Sequence, residues 1–108
     1  MPKVKSIGVT ECAYELREFL TYDDATEEDV DRNVQTWLDI AQRLIKAAYP
    51  AAEVVVDTSV QQLGMGGNKV YVEIEGAEDE IAAMQAEKEE REYIRDILGK
   101  IIDEWPQA

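Results

Sequence analysis

The hydrophobic pattern of this chain changes period twice, and that change limits most strongly what the chain can fold into. From Val30 to Ala48 the residues Val30, Val34, Trp37, Leu38, Ala41, Leu44, Ile45 and Ala48 recur every three or four positions. That repeat predicts an amphipathic helix over about Glu27 to Ala48, with one face given to continuous core. Thr26 is placed to cap it, with Asp29 three residues later in a weaker form of the capping box, and Glu27, Glu28 and Asp29 suit the positive end of the helix dipole. Tyr49-Pro50 ends it, because a residue before proline is pushed out of helical backbone.

Between Glu53 and Glu75 the period drops to two. Val54, Val56 and Val60, then Val70, Val72 and Ile74, alternate with polar positions and predict two strands facing one core. Gly64-Met65-Gly66-Gly67-Asn68 between them is rich in residues that tolerate positive φ, so an antiparallel hairpin is the simple reading.

The helical period returns near Ala77 and predicts a last helix reaching about Trp105. Ile81 and Met84 form an early stripe, and Ile94, Ile97, Leu98, Ile101, Ile102 and Trp105 a stronger late one. Its middle, Glu87 to Glu92, is polar on every side, so either it projects past the sheet as solvated helix or a break divides the segment. Gly99 lowers helix propensity by up to about 1 kcal/mol relative to alanine, which close packing of another element would justify.

Near the amino terminus, Ser6-Ile7-Gly8-Val9 reads as a short strand. Cys12, Ala13, Leu16, Phe19 and Leu20 match one helical face and predict a helix over residues 11–21. A strand through Tyr14 and Leu16 is the competing assignment, and it would give the sheet a third member. No repeat or low-complexity linker divides the chain. The expected fold is a single acidic α+β domain over residues 1–108, with an antiparallel hairpin or short antiparallel sheet packed against two to three helices. A chain of 108 residues can build such a core without disulfides or metal.

Composition then bounds the partners. The chain carries 24 Asp and Glu against 11 Lys and Arg, has no histidine and has a formal charge of −13. Apolar residues make up 45%, more than disordered chains carry, so that charge lies on a folded surface. Such a surface repels nucleic acid and anionic membrane and attracts basic proteins. Lone Cys12 allows no intramolecular disulfide and fits a reducing compartment. No apolar leader follows Lys3 and Lys5, and no stretch approaches the roughly 20 apolar residues of a membrane span. A cytoplasmic protein is expected.

The catalytic templates fail one after another. Without histidine there is no Ser-His-Asp triad, Cys-His pair or HExxH zinc site. Cys12 sits beside Ala13 in an apolar pattern and reads as a buried structural thiol. The run Asp23 to Asp31 holds six acids but lacks the spacing and central glycine of a calcium loop. Gly64 to Gly67 precedes a strand, whereas phosphate-binding glycines open a helix. No catalytic residue, cofactor or metal ligand is assigned. Direct nucleic-acid binding is disfavoured by sign.

What remains is a surface. Carboxylates at i and i+4 on a helix are about 6 Å apart in rise, comparable with backbone charges every ~3.4 Å along a nucleic-acid strand. Asp23, Asp24, Glu27, Glu28 and Asp31 form one candidate partner-binding block, and Glu89, Glu92 and Asp96 another. The expected function is a small acidic protein-binding module, an inhibitor that occupies a basic nucleic-acid-binding surface of a partner protein. In general character the composition resembles small phage-encoded inhibitors of restriction or CRISPR enzymes, a likeness that no motif here carries further. Against it stands the plain reading of solvated helix faces, softened by pairs such as Glu87-Arg91 and Asp96-Lys100. A homodimeric adaptor docking through Ile94, Ile97, Ile101 and Trp105 is the alternative, and a carboxylate enzyme, needing two acids in unlike environments across a cleft, the remote one.

Overall fold

Why the strands form is clear from their alternation; how they pair is not, and the pairing sets the architecture. The computed structural model describes residues 3–60 and 68–105. Its elements run β1 Lys3–Cys12, α1 Ala13–Leu20, α2 Glu27–Ala48, β2 Glu53–Ser59, β3 Asn68–Glu75 and α3 Glu80–Glu104. The α+β class with three helices is as expected. The hairpin is not: the sheet has three strands in the order β2-β1-β3, with β1 parallel to β2 and antiparallel to β3. The amino-terminal strand takes the centre, where both of its edges are hydrogen-bonded, and β2 and β3 never touch as neighbours. Gly64 to Gly67 lie outside the described residues.

β1 is longer than the expected Ser6–Val9 strand and takes in Glu11 and Cys12, so the first helix begins at Ala13 and the competing strand through Tyr14 and Leu16 does not form. Its pairing with β3 slips between Val4 and Ser6, where Val4 opposes Ile74 and Ser6 opposes Glu73. Lys5 is the extra residue of a bulge, which lets Val4 and Ile7 share one face although they are three apart. Ile7 and Val9 on β1, Val54 and Val56 on β2, and Val70 and Val72 on β3 are buried on that face. Val60 lies past β2 and is 74% exposed, so it is not a core member.

α2 and α3 start at local side-chain caps, whereas α1 has none and is held by contacts with α2. In α2 the Thr26 side chain accepts from the Asp29 backbone N–H while the Asp29 carboxylate accepts from the Thr26 N–H, each at 3.1 Å, and Tyr49 closes the other end. α1 is tied to α2 by Asn33 Nδ2 donating to the Leu20 carbonyl at 3.1 Å and by an Arg17–Asp31 ion pair. α3 starts at Glu80 and not near Ala77, because Gly76 turns the chain with φ 83° and Asp79 accepts from the Ala82 N–H at 2.7 Å as N-cap. It is one helix without a break through Glu87–Glu92. Its early stripe finds no core: Ile81 and Met84 are 77% and 67% exposed. Gly99 accommodates no close neighbour either, since nothing described lies within 4 Å of where a Cβ would stand.

α2 and α3 lie over one face of the sheet. Trp37, Ala41 and Ile45 from α2 and Ile94, Leu98 and Ile101 from α3 meet the strand residues there. The two helices run antiparallel: Asn33 and Trp105 share one end of the cleft between them, while Tyr49 reaches Glu90 and Tyr93 at the other. The described part measures 54 × 27 × 19 Å, longest in one direction. Cys12 is a buried free thiol at the junction of β1 and α1.

Candidate functional site

All eight acidic residues assigned from the sequence are exposed, and the fold divides them between two places. Asp23, Asp24, Glu27, Glu28 and Asp31 gather at the amino-terminal end of α2. Glu89 and Glu92 lie on α3 past Tyr93, at the other end of the antiparallel helix pair, and Asp96 sits one turn further in. The two blocks therefore do not merge into a single patch. Part of the first block is committed to the fold: Asp31 pairs with Arg17, and Asp24 turns the chain at φ 68°, a left-handed conformation that Asp and Asn tolerate better than most residues. Among the described residues the other seven hold no ion pair, while neighbouring Asp29 is held by Arg32 at 3.6 Å. Contact with the Thr26 backbone and hydroxyl holds the Asp29 carboxyl below its usual range.

Between the blocks runs a groove of 690 Å³ whose walls are the outward sides of α2 and α3. Ile40, Leu44 and Ala48 line it from α2, at spacings of four, and Tyr93, Ile97, Ile101 and Trp105 line it from α3, also at spacings of four. Asn33 and Thr36 extend the α2 wall, and Lys100 and Glu104 stand on the α3 side. The continuous core face read from the sequence is thus split: Trp37, Ala41 and Ile45 turn to the sheet, whereas Leu44 is 44% exposed. Ile102, also counted in the late stripe, is 40% exposed. The edge-to-face contact of Tyr49 and Tyr93, with centroids 6.0 Å apart, braces one end, and the Tyr49 hydroxyl donates to Glu90. Burial, then that carboxylate, pushes the Tyr49 phenol well above its ordinary range.

One carboxylate escaped the sequence reading. Glu11 ends the inward row Ile7, Val9, Glu11 of β1 and is buried at 8% exposure. Its pKa is pushed up to about 7, chiefly by burial; the nearby Glu15 charge adds to this and a 3.4 Å hydrogen bond from Asn68 Nδ2 opposes it. The signal was present in the sequence, since two residues past Val9 on the same strand is an inward position. Ile40, Tyr93 and Leu44 as groove residues were hidden for another reason: periodicity gives the width of an apolar arc but not how much of it a small sheet covers. Among the described residues no group of three or more Cys, Asp or Glu is placed to hold a metal ion, and no helix is long and apolar enough to cross a membrane. Compared with known families, curated proteins and solved structures, the chain matches none.

Proposed function

We propose that this chain is a small acidic protein-binding module that acts in the cytoplasm by occupying a basic, nucleic-acid-binding surface of a partner protein. The observation that carries the reading is the exposure of all eight carboxylates, seven of them without an ion pair among the described residues. Charges neutralised within the fold would have nothing to offer a partner; these keep their field. From residue 23 to 32 there are six acids against one arginine, so the end of α2 is more negative than helix capping requires. Helix-borne carboxylates at one-turn spacing present a row of anions on a rigid rod, which flexible surface acids do not.

The test is retention of a basic partner on the immobilised chain from its native host, followed by competition. Binding should weaken steeply as salt rises from low to moderate and should be displaced by DNA or RNA. A ternary complex that keeps the nucleic acid, or salt-insensitive binding, would count against occupation of a nucleic-acid site. A second reading, self-association, is favoured by one observation, the apolar groove between α2 and α3. Light scattering at micromolar concentration decides it: a compact monomer removes the dimer.

A further inference from the structure

We infer that the groove between α2 and α3 receives an amphipathic helix of the basic partner, apolar side down and with lysine or arginine toward both of its ends. This rests on the proposed function only in taking the partner to be basic. The length fits: from Asn33 to Ala48 the α2 wall rises about 22 Å, or about four helical turns. The spacing fits as well. Ile40, Leu44 and Ala48 oppose Tyr93, Ile97, Ile101 and Trp105 as two parallel rows at one-turn intervals, which is how two helices seat the i, i+4 ridge of a third. Exposed Leu44 and Tyr93 are the side chains such a helix would cover.

Charge selects the occupant. Apolar side chains run the length of the groove, with Lys100 and Glu104 on its α3 wall, and along each helix an acidic segment lies beyond one end, Asp23–Glu28 before Asn33 and Glu89 one turn before Tyr93. A helix with a cationic residue at each end and an apolar stripe between them complements the apolar rows and the acidic ends. A second copy of this chain does not: a two-fold dimer would set one acidic end against another, and both copies carry −13.

The experiment uses the whole chain and a labelled 18-residue peptide of leucine and lysine patterned at helical period, with anisotropy for binding and circular dichroism for peptide helicity. The wild type should bind the peptide at about 0.15 M salt and raise its helicity. Leu44→Glu, at an exposed position that spares the core, should weaken binding about tenfold or more, the scale of losing one well-seated anchor. Ile97→Asp should do the same, and Leu44→Glu keeps the test decisive if that variant fails to fold. Glu53→Lys with Asp57→Lys, on the sheet's opposite face, should leave binding within about twofold, as expected of rim charges remote from a contact. Three results overturn the inference: no binding by the wild type, equal binding by Leu44→Glu, or a wild-type dimer that Leu44→Glu dissolves. Failure of nucleic-acid competition would instead remove the proposed function and leave the groove result standing.

Discussion

Glu11 is the residue at which the fold departs furthest from the ordinary chemistry of an acidic protein. A carboxyl raised to about 7 in the folded state is protonated there while its unfolded counterpart, near 4.5, is ionised. Between those values the native state binds more protons at Glu11 than the unfolded one, so this carboxyl's contribution to stability falls as pH rises from about 4.5 to 7 and is constant above that window. Glu11→Gln keeps the hydrogen-bonding shape and removes the ionisation. Urea unfolding should show it more stable than the wild type at pH 8, by about 1–2 kcal/mol after discounting for solvent near the strand end, and indistinguishable from it at pH 4. Equal stability at pH 8 would mean the carboxylate is solvated in the native state. Residue chemistry also sharpens which charges can be removed cleanly. Asp24→Asn preserves the left-handed turn, whereas Asp24→Lys adds backbone strain of about 1 kcal/mol to whatever the charge does.

At the scale of elements, the sequence was most legible where a signal is local. Thr26, Asp29 and Tyr49 place both ends of α2 because capping and the pre-proline restriction act within a turn. Thr26→Ala should therefore cost about 1 kcal/mol, read as a lowered urea midpoint with unchanged slope. The strands β2 and β3 were legible from alternating valines, but their partner was not, since pairing is decided between distant segments and β1 hides its alternation behind the bulge at Lys5. Gly99 shows the same limit in reverse. Its low helix propensity invites a packing explanation, yet nothing described approaches it. Gly99→Ala should stabilise the chain by up to about 1 kcal/mol, and a destabilising result would show that a neighbour comes closer than the fold indicates. The polar stretch Glu87–Glu92 stays helical because α3 is anchored by Ile94, Leu98 and Ile101 and needs no second core under its first half.

For the whole molecule, the charge that weakens the fold and the charge offered to a partner are the same charge, and the two roles predict opposite responses to one set of variants. At about 0.01 M salt repulsion reaches roughly 30 Å, more than half the long dimension, whereas at about 0.15 M it reaches only about 8 Å. The urea midpoint of the wild type should accordingly rise with added salt at pH 7. Glu89→Lys with Glu92→Lys adds positive charge to a helix face that touches no core, so it should raise stability at low salt and flatten the salt dependence. If those carboxylates serve solubility alone, that gain comes free and every binding readout is unchanged. If they anchor one end of a cationic helix, the same variant should be more stable and yet bind the leucine–lysine peptide, or a basic partner, several-fold more weakly with a shallower salt slope. Stabilising substitutions are common at positions with no partner, so it is the pairing of a stability gain with a binding loss that separates a used acidic surface from a merely solvated one.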